Sequence, residues 1–212
     1  MKSKKTPALL LSAILLIGAV VGGTLAWLTD TTDEVTNTFT VGNIGVTLVE
    51  TDSDDADNDA NNNTYKMIPG WTINKDPKAN ITAGSEFGYL FVKVEKSATV
   101  DSYLDYAIHG DWTELEDGVY YIEIDDDAEI GKVYTILAGG TATYNNVAYS
   151  WTDDQVLVKP TVDKAMMDAI TAGTAVNPKM TFTAYACQLY KTNNVKFTPA
   201  EAWAILNPPA NP

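Results

Sequence analysis

The chain contains no arginine, one histidine and one cysteine among its 212 residues. Each scarcity excludes something. Phosphate backbones are held through clustered Lys and Arg, and here 14 lysines face 28 acids for a net charge of −14. Nucleic acid is therefore excluded as a partner, and an anionic membrane surface repels such a chain for the same reason. Cys187 stands alone, so no internal disulfide can form and the domain must hold by its core or by association. It lies in the strand-like run Phe182-Thr183-Ala184-Tyr185-Ala186-Cys187-Gln188-Leu189, where a small buried apolar residue is the expected role. A single histidine cannot build a His-Glu-x-x-His zinc site. A Ser-His-Asp triad would have to use His109, yet Ile108 and Gly110 flank it and no Gly-x-Ser-x-Gly elbow occurs. We expect His109 to be a polar turn residue. Gly139-Gly140 lacks the Lys-Ser/Thr and helix of a phosphate loop. Carboxylate pairs can support glycoside hydrolysis, but among 28 acids a chance pair carries no signal. The expectation is a protein that binds or builds, without catalytic residues or a cofactor.

What the chain does have begins at its start. Lys2, Lys4 and Lys5 precede the apolar residues 8–21, and Gly22-Gly23-Thr24-Leu25-Ala26 follows. A cationic end, a short apolar core and small residues before a cut site form a secretory signal. Thr24 and Ala26 suit the two selective subsites, which places cleavage between Ala26 and Trp27. The alternative is an uncleaved anchor. Residues 8–28 could span about 30 Å of hydrocarbon, but Gly18, Gly22, Gly23 and Thr24 weaken that end and no positive cluster follows. Cleavage leaves 186 residues with eleven lysines against 28 acids, a net charge of −17. That is one comfortably sized domain, with no stable membrane anchor. No cell-wall sorting signal is visible after Ala204-Ile205-Leu206-Asn207, so retention on a cell would rest on partners.

Beyond the signal the pattern has period two, which indicates β-strands. Ile44, Val46 and Leu48 share one face; so do Leu90, Val92 and Val94, with Lys93 and Glu95 opposite, and so do Tyr120, Ile122 and Ile124. Further strands are expected at 72–74, 103–108, 133–137, 142–148, 155–158 and 180–190. Pro69-Gly70, Glu116-Asp117-Gly118, Gly139-Gly140 and Asn145-Asn146 mark turns. Many short strands with few helices predict an all-β, antiparallel sandwich with one wet side. Two short helices interrupt it. Val162, Ala165, Met166, Ala169 and Ile170 form one apolar stripe, closed by Gly173. Thr198-Pro199-Ala200-Glu201 is a capping box that starts a second helix, whose Trp203 should pack against the sandwich.

Residues 51–63 form an acidic, polar stretch expected to be a solvated surface loop. Its functional reading is weak calcium binding through Asp52, Asp54, Asp55, Asp57 and Asp59, since clustered carboxylates suit hard cations. The spacing departs from an EF-hand, with no glycine at the sixth position and no glutamate at the twelfth. A merely solvated charge run is the plainer reading.

Several stretches together resemble a known family. These are Gly23-Thr24-Leu25-Ala26-Trp27-Leu28-Thr29-Asp30, then Asn37-Thr38-Phe39-Thr40-Val41-Gly42-Asn43-Ile44, Ile68-Pro69-Gly70-Trp71, and Asn80-Ile81-Thr82-Ala83-Gly84-Ser85 before Tyr89-Leu90-Phe91-Val92. With Ala184-Tyr185-Ala186-Cys187-Gln188 and Glu201-Ala202-Trp203, their order is similar to that of the TasA/CalY (camelysin) family. The resemblance covers both ends of the chain and hardly touches residues 97–179. It implies secretion by a Gram-positive cell through a SipW-type signal peptidase, a jelly-roll sandwich, and assembly into fibres of the biofilm matrix as a major or minor subunit. It also implies that the mature N-terminal segment, residues 27–42, completes a sheet in the next subunit, ahead of a sandwich domain at 43–212. Read from the residues alone, Val35, Phe39 and Val41 alternate with Thr36, Thr38 and Thr40, Asn37 interrupting. Such a β-prone stretch suits strand donation; pairing within its own sheet is the alternative. Beyond self-association, other matrix or cell-surface proteins are expected partners. A second function class is a monomeric adhesin using exposed aromatics such as Trp112, Tyr144 and Trp151. Camelysin members have been called metalloproteases, and this chain is too poor in histidine for the usual zinc site.

Overall fold

The computed structural model describes residues 42–51 and 63–208, which belong to one unit, Gly42–Pro212. It is mostly strand, and every strand pair is antiparallel. The longest sheet is built on β4 (Gly88–Lys96). On one side it pairs along its whole length with β14 (Met180–Gln188), and on the other with β8 (Val119–Ile124), then β7 (Thr113–Glu116). Alternation decides the faces. Leu90, Val92, Ile122, Ile124 and, half-buried, Phe182, Ala184 and Ala186 turn toward a second sheet. That sheet runs β1 (Val46–Val49), β3 (Lys78–Ile81), β9 (Tyr134–Thr135). Its Ala79 and Ile81 meet them, and Trp112 sets its ring edge-on to Tyr134 at 6.4 Å. Each aliphatic side chain fully buried here contributes about 1.5–3 kcal/mol. This shared core is the largest among the described residues.

The other face of the long sheet is covered as well, which departs from the expected wet side. Tyr89, Phe91 and Cys187 lie beneath α3 (Pro199–Leu206), with Trp203 tilted on Phe91 at 5.4 Å and edge-on to Tyr185 at 5.3 Å. The capping box is formed as expected: Glu201 N–H donates to Thr198 Oγ1, and Thr198 N–H to the Glu201 carboxylate at 2.8 Å. A sheet expected to keep one face in water loses much of that face once a helix lies across it. Lys93 and Glu95 stay outside the helix's reach and pair with each other.

A third sheet, β2 (Thr72–Asn74), β13 (Gln155–Val158) and β5 (Leu104–Asp105), packs with α2 (Lys164–Thr171) through Val158, Val162, Met166 and Ile170. Met166 and Met167 are therefore packing residues. Asp163 caps this helix by accepting from Met166 N–H, and Gly173, at φ +69, ends it. The remaining pairs are β6 (Ala107–Ile108) with β10 (Leu137–Ala138), β11 (Gly140–Tyr144) with β12 (Val147–Trp151), and β15 (Tyr190–Thr192) with β16 (Val195–Lys196).

Four sequence expectations change. A third helix exists: α1 (Val100–Tyr103), a single turn whose Val100 and Tyr103 are both buried, so Tyr103 does not begin a strand. The stretch 142–148 is a hairpin, because Asn145 and Asn146 both take positive φ and reverse the chain. Strands at β3, β7 and β16 were not expected. Finally, Trp112 and Trp151 are buried, each with its indole N–H donated to a backbone carbonyl, of Thr135 at 2.8 Å and Ala138 at 3.1 Å. Tyr144 is half-buried and donates to Asp105. Among the described residues the most accessible aromatic is Trp71, 65% exposed after the Pro69-Gly70 turn.

Candidate functional site

The residues expected to carry function divide by location. Ala26, Trp27, the donor residues Val35, Thr36, Asn37, Thr38, Phe39, Thr40 and Val41, and the acids Asp52, Asp54, Asp55, Asp57 and Asp59 lie outside the described residues. Their roots are described. Asn63 Nδ2 donates to the Thr51 carbonyl at 3.2 Å, so the two ends of the acidic stretch meet. Thr51 in turn donates its N–H and hydroxyl to Asp76 at 2.9 and 2.8 Å. Burial pushes Asp76 up, but these two bonds and Lys78 outweigh it and hold the carboxyl below its ordinary range. Among the described residues no three His, Cys, Asp or Glu side chains gather to hold a metal.

His109 sits where a turn residue would. Its carbonyl accepts from Trp112 N–H at 3.0 Å and its Nδ1 from Asp111 N–H at 3.3 Å. Cys187 is buried and its thiol is pushed up by that burial, consistent with packing rather than reactivity.

The structure brings together something else, along one side of the main core. Among the described residues β14 is hydrogen-bonded only to β4, and β1 only to β3, so both are edges. These two edges lie beside each other across the core. Where the middle strands bury Leu90, Val92 and Ala79 completely, the edges leave Val46 and Leu48, and Met180, Phe182, Ala184 and Ala186, only partly covered. The result is a partly covered apolar strip along two neighbouring edges.

Both ends of the strip are built. At the Met180 end, Lys75 Nζ lies 3.0 and 3.1 Å from the Glu50 carboxylate and 5.2 Å from the centre of the Phe182 ring. Tyr65 also donates to Glu50, at 2.6 Å. Both charges are nearly buried, at 12% and 15% exposure, where each needs the other to offset desolvation. At the Gln188 end, Ile44 lies on Gly88. A Cβ there would come within 2.5 Å of Ile44 Cδ1 and 2.6 Å of the Cys187 carbonyl, so only glycine fits. Ser85 fixes the approach by accepting from Gly45 N–H at 3.0 Å.

Sequence reading found the strand but missed the partly covered strip. Its signal was the drop in side-chain size from Met180 and Phe182 to Ala184 and Ala186 along one strand face. The chain matches no protein-family model, no curated protein and no solved structure. Among the described residues no helix is long and apolar enough to cross a membrane.

Proposed function

We propose that this chain is a secreted structural protein of the extracellular matrix, released by signal peptidase cleavage after Ala26 and polymerising into fibres. Its sheets form a jelly-roll-like sandwich, and its mature N-terminal segment joins subunits by β-strand addition. It serves as the main subunit or as a minor one within such fibres. It holds no catalytic centre or cofactor in this reading, and its partners are further copies of itself and other matrix proteins.

The observation that carries this is the partly covered apolar strip along the edges of β1 and β14, which among the described residues pair on one side only. Such an edge takes up a strand for two reasons, main-chain pairing and side-chain burial. The family resemblance at both ends of the chain supports the same reading. Electron microscopy of the secreted protein tests it: fibres should form, and deleting residues 27–41 should remove them while the folded domain persists. Fibres that survive the deletion sink the donor role.

One observation favours a second reading, a monomeric surface-binding module. Trp71 is 65% and Ile68 44% exposed on one turn, a small apolar patch. That reading requires a protein that stays monomeric at every concentration and loses a ligand on Trp71→Ala.

A further inference from the structure

We infer that the side chains of Lys78 and Asp154 condense into an amide, with Asp76 as the proton relay. The bond would tie the second sheet to the third without any cysteine, and it is independent of fibre formation.

The three groups that such a bond needs stand together. Lys78, the first residue of β3, places its Nζ 3.2 Å from Asp154 Oδ2 and 3.3 Å from Asp76 Oδ2. Each group is held from outside the trio. Lys78 is paired on both sides, with Val49 of β1 and Thr135 of β9. Asp154 stands in the turn just before β13, at φ +63. Its N–H donates to the Leu137 carbonyl at 3.1 Å, and its carbonyl accepts from Lys75 N–H at 2.8 Å. Asp76 accepts from the N–H and hydroxyl of Thr51 at 2.9 and 2.8 Å. Groups about 3–3.5 Å apart on fixed supports are the starting geometry of an efficient intramolecular reaction.

The second oxygen of Asp154 separates this trio from an ordinary ion pair. Asp154 Oδ1 is buried and, among the described residues, has no hydrogen-bond partner. A buried acceptor left without a donor is costly, and more so when it carries charge. In the neighbouring pair, Glu50 has both oxygens satisfied by Lys75, at 3.0 and 3.1 Å, and one of them by Tyr65 as well. Around Lys78, two carboxylates share one ammonium. Condensation removes one charge of each sign, leaves Asp154 Oδ1 as a neutral amide oxygen, and gives Asp76 an N–H beside it.

The step balances without a co-reactant. Burial lowers Lys78, but the bonds to Asp154 and Asp76 outweigh it and hold the ammonium above its ordinary range. The ion pair is therefore the resting form, and the bond forms once per chain as a slow maturation. The ammonium passes one proton to Asp154 Oδ2. As Nζ bonds to Cγ, a second proton goes to Asp76. Asp76 returns it to the departing hydroxyl, the Cγ–Oδ2 bond breaks, and water leaves. Nothing is oxidised or reduced. All three side chains are part-exposed, so the water has a way out. The amide closes a long loop in a chain whose single cysteine cannot form an internal disulfide, and such a closure restricts the unfolded state as a disulfide would.

Mass spectrometry of the folded full chain tests this, with the N-terminus of the sample read alongside. The intact chain should be lighter than its sequence by the mass of one water. Trypsin should fail to cut after Lys78, and one branched peptide should join Lys78 to Asp154. Lys78→Arg and Asp76→Asn, both checked for folding by circular dichroism, should keep their full sequence mass. Asp154→Asn, which also tolerates a positive φ, should lose ammonia instead of water and end at the mass of the linked wild-type chain. A folded wild-type chain at full mass overturns the inference. So does a water loss that survives Lys78→Arg, or a branched peptide that joins any other pair. Should Lys78→Arg fail to fold, the branched peptide and the Asp154→Asn mass still decide. A link that forms undiminished in Asp76→Asn overturns the relay.

Discussion

The two edges of the long sheet could hardly differ more. β7 is four residues long, two of them glutamates, and its register with β8 slips between Glu114 and Glu116. Short length, charge and an irregular register are how exposed edges avoid pairing with other chains. β14 is nine residues long, uncharged and in unbroken register with β4. Among the described residues one edge of the sheet is defended and the other carries no such defence. Poor packing does not explain the contrast, because one helix reaches both edges. Trp203 lies edge-on to Tyr185 of β14, while its indole N–H donates to Glu116 of β7 at 2.7 Å. The sheet is strapped across its whole width, and only its outer hydrogen-bonding groups are treated differently.

Placing a lysine on each edge in turn should give the largest contrast. Ala184→Lys puts a charge on the uncharged edge, where the stem can lie along apolar surface and the ammonium reach water past the edge. Fibres should disappear by electron microscopy, while circular dichroism shows a folded monomer. Glu114→Lys, on the defended edge, should leave fibre formation unchanged. Fibres lost only in the second variant would reverse the comparison. Cutting the strap comes next. Trp203→Ala should cost about 3–5 kcal/mol, the range for truncating a buried aromatic, read as a lower midpoint in urea. It also orphans the Glu116 contact and should loosen both edges together. Hydrogen exchange at β7 and β14 should rise in step; a rise at one edge alone would argue against a common strap.

How far the sequence showed this depends on the range of the signal. Leu90, Val92 and Val94 facing one way, the capping box at Thr198, and Trp203 on the sheet were all legible, because periodicity and caps are local. The second covered face was not: Tyr89 and Phe91 look like an outward-facing pair until a helix more than a hundred residues away lies over them. Trp112 and Trp151 looked available for binding for the same reason, since the carbonyls that accept their indole protons come from other strands. The apolar strip was the least legible feature. It joins β1 and β14, over 130 residues apart in the chain, and no residue in either strand marks it alone. The contrast between edges is different in kind. Thr-Glu-Leu-Glu against Met-Thr-Phe-Thr-Ala-Tyr-Ala-Cys-Gln is plain in the sequence once pairing says which strands are outermost.

The smallest effect concerns the strap's anchor. The Lys191 ammonium, 2.5 Å from Glu201 Oε1, together with the backbone and hydroxyl of Thr198, holds Glu201 at about 2, below its ordinary 4.5. A carboxyl depressed on folding stabilises the folded state fully above its unfolded value, and that contribution fades as pH falls from about 4.5 toward 2. Glu201→Gln keeps a capping side chain without the titration. Other carboxyls titrate in the same window, Asp76 among them, also held low, so only the difference between the two chains reports on Glu201. Followed by near-ultraviolet circular dichroism of Trp203 from pH 6 to 1.5, the wild-type chain should lose its margin over the glutamine variant across that window. A margin that stays flat would show that the cap does not depend on the charge of Glu201. Since Lys191 lies on β15 and Glu201 on α3, a vanishing margin would mark acid as loosening the helix that spans both edges. It would do so under the same conditions in which protonated carboxyls relieve repulsion between subunits.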